Sequence, residues 1–107
     1  MTNKYHARRT WSALVQREFA SKAECLHGED LWMQERAGVI SQLRFQVLFV
    51  LSVKPKVTIT IDFQYDKDGH TFLEDTKGVL TRDFRTKLAW LRQLRGIEVK
   101  LIAGAKG

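Results

Sequence analysis

VTITIDFQYDKDGHTFLEDTKG, from Val57 to Gly78, is the stretch whose reading decides the fold. In its first half Val57, Ile59, Ile61, Phe63 and Tyr65 alternate with Thr58, Thr60, Asp62 and Gln64. A period of two sends successive side chains to opposite faces of a pleated strand, which predicts a half-buried strand with all five apolar residues on one face. Asp68-Gly69 marks a hairpin turn, because such a turn asks for positive φ at its central residues. The second half, His70 to Lys77, predicts the return strand. Leu73, Asp75 and Lys77 fall on one of its faces, and Phe72, Glu74 and Thr76 on the other. The hairpin brings Asp62 next to Asp75 and Lys77. Two carboxylates and one ammonium at one spot are costly unless something bridges the acids, and hard divalent cations take carboxylate oxygens. The competing reading is an exposed strand whose charges only solvate it.

The chain of 107 residues suits a single domain over 1–107, with a basic arm at 1–12 and a frayed tail at 103–107. A hydrophobic fraction of 44% argues against wholesale disorder. The one cysteine, Cys25, excludes an internal disulfide framework and suits a reducing compartment. MTNKYHARRT lacks the apolar core of a signal peptide. The longest apolar run, Val47 to Val53, is too short to span a bilayer. A cytoplasmic protein with no membrane partner is the expectation.

The net charge of +6 is unevenly spread. Residues 1–22 carry +4, residues 23–81 carry −3, residues 82–100 carry +4, and Lys106 adds the last charge. Basic flanks around an acidic middle fit a phosphate-backbone binder with a metal centre, against the plainer reading of a solvated surface. Lys4, Arg8, Arg9 and Lys22 in the first flank, and Arg82, Arg85 and Lys87 in the second, are the candidate DNA contacts.

Outside the hairpin, Ser21 can cap a helix from about Lys22 to Ala37, with Gly38 past its end. Ala23, Leu26, Met33 and Ala37 form its apolar stripe, widened by Leu31 and Trp32. Glu24 lies in its first turn, where the helix dipole favours a carboxylate. Gly28 either allows close backbone approach beside Glu24 or is simply tolerated. Leu14 to Phe19 reads as a short strand, and Phe45 to Val53, apolar on both faces, as a central one. Thr81 caps a second helix to about Arg95, with Gly96 beyond it and Phe84, Leu88 and Leu91 buried. Ile97, Val99 and Leu101 alternate as a last strand. The order is helix, three strands, helix, strand: an α/β layer with a mixed sheet.

An acid on the first helix, another on the second strand and an acid-x-lysine on the third resemble the restriction-endonuclease-like αβββαβ core of the PD-(D/E)xK nuclease superfamily. Lys4-Tyr5-x-Ala7-Arg8-Arg9-Thr10, Ser21-Lys22-x-Glu24, Ala37-Gly38-x-Ile40-Ser41-x-Leu43 and Glu74-Asp75-x-Lys77-Gly78 are similar to an uncharacterised phage and prophage family related to junction-resolving endonucleases. The resemblance covers about Lys4 to Val99. It implies an acidic cluster of Glu24, Asp62 and Asp75 holding Mg²⁺ or Mn²⁺, with Lys77 as the catalytic lysine. Strand alternation turns Glu74 to the other face, which leaves it as the fallback ligand. The implied activity is divalent-metal-dependent hydrolysis of DNA phosphodiesters, on branched DNA or a Holliday junction, in a bacterial host cell. Where the resemblance leads one to expect a proline before the strand aspartate, this chain has Ile61; Gly28 stands where a large side chain is expected.

Other chemistry fares worse. His6, His27 and His70 have no zinc spacing, and in Asp66-x-Asp68-Gly69 the glycine comes too early for an EF-hand. Cys25 reads as a small buried hydrophobe, and Trp11, Trp32 and Trp90 as core residues. The rival functions are a non-catalytic DNA-binding accessory module of phage replication or recombination, and an interaction subunit of a phage complex. Two symmetric cuts need two metal centres, which makes a homodimer the expected unit.

Overall fold

The computed structural model describes residues 8–77 and 79–103. Its elements are β1 (Thr10–Ser12), β2 (Arg17–Phe19), α1 (Lys22–Arg36), β3 (Ser41–Val53), β4 (Lys56–Lys67), β5 (His70–Lys77), α2 (Arg82–Arg95) and β6 (Val99–Ala103). β1 and β2 form a small antiparallel sheet, and the main sheet has the order β3-β4-β5-β6. Its first two pairings are antiparallel, and β6 joins β5 in parallel through the α2 crossover. The protein is therefore α/β, with a four-stranded mixed sheet and two helices compatible with an αβββαβ core. Among the described residues no helix is long and apolar enough to cross a membrane.

The hairpin forms where the sequence places it. Asp68 and Gly69 have φ of 52° and 78°, and Lys67 pairs with His70 across them. Both helices carry the expected caps. The Ser21 side chain accepts from the Glu24 N–H at 3.1 Å, and Thr81 accepts from the Phe84 N–H at 3.2 Å. Gly96 closes α2 in the left-handed region, and its N–H donates to the Arg92 carbonyl.

Four expectations are corrected. β3 is an edge strand, not a central one, because β6 enters on the far side of β5. Its apolar residues reach the surface: Leu48 is 56% exposed and Val53 83%. The expected strand at Leu14–Phe19 is a turn followed by β2, and the arm already forms β1, with Ser12 buried and Trp11 exposed. The expected stripe of α1 is displaced as well. Leu26 and Met33 face solvent, while Glu24, Cys25, Gly28 and Leu31 are buried. The cause is Gly28, whose missing side chain lets Phe19 and Phe63 lie against the helix. A Cβ there would stand 2.7 Å from two ring carbons of Phe19 and 3.2 Å from Phe63. The glycine thus serves close approach, though to two rings rather than to Glu24.

The fourth correction concerns the face of β4. Phe63 and Tyr65 pack with Phe19, Cys25 and Leu31 beneath α1. Ile59 and Ile61 pack instead with Leu51, Leu73 and Leu91 beneath α2. The alternation therefore changes side at Asp62. In β3 the change falls between Phe45, opposite Phe63, and Val47, opposite Ile61. Gln46, between them, has φ 54°. A left-handed residue rotates the strand about its own axis and breaks the simple alternation that a regular strand would keep.

Candidate functional site

The place where β4 changes face is also where it parts from β5. Their backbone ladder runs from Lys67↔His70 to Phe63↔Glu74. One residue further, side chains replace it. The Asp62 N–H donates to Asp75 Oδ1 at 2.8 Å, and Asp62 Oδ2 accepts from the Thr76 N–H and Thr76 Oγ1, both at 2.9 Å. Asp75 is fully buried and Asp62 is 9% exposed. The two aspartates are thus neighbours, as the hairpin reading requires.

Lys77 and Glu24 complete the group from two other directions. Lys77 Nζ lies 3.1 Å from Asp75 Oδ2 and 4.1 Å from the centroid of the Phe84 ring on α2. Glu24 comes from the capped first turn of α1 and is 5% exposed. Gln46 joins it to the strands: its Nε2 donates to Glu24 Oε2 at 3.0 Å and lies 3.3 Å from Asp62 Oδ1. The sequence reading missed Gln46. An alternating strand gives no sign that one glutamine will turn left-handed opposite an aspartate.

The electrostatics record the crowding. Burial, then the charges of Asp62 and Asp75, push the Glu24 carboxyl from the ordinary 4.5 up to about 7, against the opposing pull of Arg17 and Lys77. Burial and the Asp62 charge raise Asp75 too, opposed by the Asp62 N–H and by Lys77. Each displacement means that the charged form is disfavoured in place. Asp75 Oδ2 is buried and accepts no well-aligned hydrogen bond, although Lys77 stands beside it. A buried carboxylate oxygen with lone pairs to spare fits a hard cation. Among the described residues, however, no three His, Cys, Asp or Glu side chains are grouped closely enough to hold a metal ion. As placed, the hydrogen bonds that the acids do make run to Thr76, Gln46 and a backbone N–H.

Glu74, the fallback ligand, lies elsewhere. Its Oε1 is 2.6 Å from His27 Nε2, and its Oε2 accepts from Tyr65 Oη at 2.6 Å. Burial alone would raise the Glu74 pKa, but these two bonds together with the neighbouring His27 and Lys100 charges overcome it and the net displacement is downward. With both oxygens engaged beneath α1, Glu74 anchors β5 on the face away from Asp75. His27, set aside in the sequence for want of a zinc partner, is its hydrogen-bond partner.

The basic candidates divide in three. Arg8, Lys22, Arg82 and Arg85 are exposed. Arg9 is exposed and paired with Glu18, and Lys87 Nζ is 3.4 Å from Asp83. Lys4 lies outside the described residues. A groove of about 840 Å³ between α2, β5 and β6, lined by Phe72, Leu88, Arg92 and Lys100 among others, contains none of the four residues of the acid-lysine group. The chemistry points to the acid cluster and not to that groove.

The chain belongs to the family described as "Protein of unknown function (DUF1064)", whose model matches residues 2–105. No curated protein and no solved structure matches it.

Proposed function

We propose that this chain is a divalent-metal-dependent endodeoxyribonuclease of the PD-(D/E)xK type, acting on branched DNA. The observation that carries the reading is the insertion of Asp62 and Asp75 between parting strands, with Lys77 on Asp75 and Glu24 tied in through Gln46. Carboxylates so buried and crowded that Glu24 rises to about 7 are costly to the fold. Such a cost is common where a site, rather than packing, sets the residues.

Asp62, Asp75 and Glu24 would hold the Mg²⁺ or Mn²⁺ ion. When bound, the ion lowers the pKa of water and stabilises phosphate oxygens as a Lewis acid. In the hydrolysis a water oxygen bonds to phosphorus, one P–O ester bond breaks, and the departing sugar oxygen takes a proton. Lys77, backed by the Phe84 ring and by Asp75, presents its ammonium to the attacking water or to the charge that grows on the phosphorane. Gln46 keeps Glu24 and Asp62 at a fixed separation. Tyr65 and His27 hold Glu74, and through it the strand that carries Asp75 and Lys77.

The second reading is a DNA-binding module without catalysis. One observation favours it: the described carboxylates do not group as a metal triad, and both aspartates work as mortar between strands. A cleavage assay separates the two. Linear, single-stranded, flapped and four-way DNA are incubated with and without Mg²⁺, with Asp75→Asn as the control for a contaminating nuclease. Mg²⁺-dependent cutting that Asp75→Asn abolishes supports the enzyme; binding without any cutting supports the module.

A further inference from the structure

Besides Lys77, a second cation acts on the acid cluster. Arg17 projects from β2, with its guanidinium carbon 4.5 Å from the centroid of Phe45 and 5.5 Å from that of Phe19. Phe45 precedes Gln46, whose amide touches Glu24 and Asp62. None of the ion pairs among the described residues includes Arg17. Its Nε is buried and donates to nothing. Yet the charge is close enough to act on Glu24, whose carboxyl it holds lower than burial would leave it.

We propose that Arg17 receives a phosphate of the bound DNA strand at the edge of this cluster. The inference takes the location of the DNA from the nuclease reading. Its chemical argument is separate. A guanidinium whose role was to neutralise Glu24 would close the ion pair. Arg17 instead stops short, its guanidinium beside the edge-to-face pair of Phe45 and Phe19. Contact with the rings limits the hydration of the cation, which leaves its free N–H groups ready for the oxygens of a phosphate.

The charge count agrees. Glu24, Asp62 and Asp75 outnumber Arg17 and Lys77 by one. A divalent cation would turn that deficit into a surplus of one positive charge, which one phosphodiester neutralises. Each of the two cations is backed by a ring, Lys77 by Phe84 and Arg17 by Phe45.

The test is the salt dependence of binding to fluorescein-labelled duplex and four-way DNA, with Ca²⁺ in place of Mg²⁺ so that the acids hold a hard cation while cutting is suppressed. Arg17→Met keeps the stem on Phe45 and removes the charge. It should weaken binding about tenfold and reduce the slope of log Kobs against log salt by about 0.9, the share of one phosphate contact. Arg17→Lys should restore the slope while recovering only part of the affinity, because the charge returns without the fork. Arg92→Met, in the groove away from the acid cluster and paired with Glu98, should leave the slope unchanged. Should Arg17→Met fail to melt cooperatively, Arg17→Gln decides on the same slope. An unchanged slope in the charge-removing variant, or a slope that Arg17→Lys does not restore, overturns the proposal. A chain that cuts DNA but whose slope ignores Arg17 refutes this assignment alone. A chain whose slope responds to Arg17 but which cuts nothing refutes the nuclease alone.

Discussion

Glu24→Gln should make the metal-free protein more stable. Glu24 is 5% exposed, and its carboxyl is raised from 4.5 to about 7 by burial and by the charges of Asp62 and Asp75. A displacement of that size corresponds to at most about 3 kcal/mol between the two protonation states. Gln46 beside it is exposed, so solvent screens part of the charge and about 2 kcal/mol is the working figure. Glutamine keeps an acceptor oxygen for Gln46 Nε2 and loses only the charge. For a chain of this length 1 kcal/mol moves the melting temperature by about 4 °C, so in EDTA at pH 8 the variant should melt about 8 °C above the wild type.

The pH dependence carries a definite sign. A carboxyl whose folded pKa lies above its unfolded one binds more protons when folded. Its favourable contribution is fully present below about 4.5 and is lost as pH rises through about 7. The gap between variant and wild type should therefore shrink to about 2 °C at pH 5. A shallower dependence shared by both proteins comes from Asp75, which is raised in the same direction. Millimolar Mg²⁺ or Mn²⁺ should raise the melting temperature of the wild type more than that of the variant, since binding to the folded state alone stabilises it. Differential scanning calorimetry at pH 5 and pH 8, with EDTA or metal, makes the measurement. A variant no more stable than wild type in EDTA at pH 8 would refute the reasoning about crowded acids. An equal metal response in both proteins would remove Glu24 from the ligand set.

Asp62→Asn, Asp75→Asn and Lys77→Ala should each abolish Mg²⁺-dependent cutting. DNA affinity should hold or rise for the two aspartates, because negative charge near phosphate is removed; anisotropy beside a gel assay reads both. Gly28→Ala should destabilise by about 1–3 kcal/mol through overpacking against Phe19 and Phe63, more than the helix-propensity gain of about 1 kcal/mol returns, and a urea titration at fixed m-value reads the difference. The working unit should be a homodimer at micromolar protein, and Leu48→Lys on the exposed β3 edge should shift sedimentation toward the monomer if that edge forms the interface.

Local pattern was enough for much of this protein. The Asp68-Gly69 turn, the Ser21 and Thr81 caps, the Gly96 stop and the pairing of Asp62 with Asp75 rest on contacts between residues close in sequence. Their energetics are set by a few dihedral angles and one or two hydrogen bonds, so periodicity and residue type reveal them. The long-range arrangement was not legible in the same way. An apolar run such as Phe45–Val53 reads alike in the centre of a sheet and at its edge; the crossover that sends β6 past β5 decides which it is. The buried face of α1 follows from Phe19 and Phe63 settling on Gly28, and two rings distant in sequence cannot be seen in a helical stripe. The change of face at Asp62 depends on Gln46 adopting φ 54°, a conformation sustained by the tertiary contacts of its amide with Glu24 and Asp62. The position of Arg17 over Phe45 belongs to the same class. Sequence named the acids and the lysine through hairpin geometry and resemblance, while tertiary packing decided what surrounds them, because burial, ring stacking and charge crowding are properties of residues brought together from separate elements.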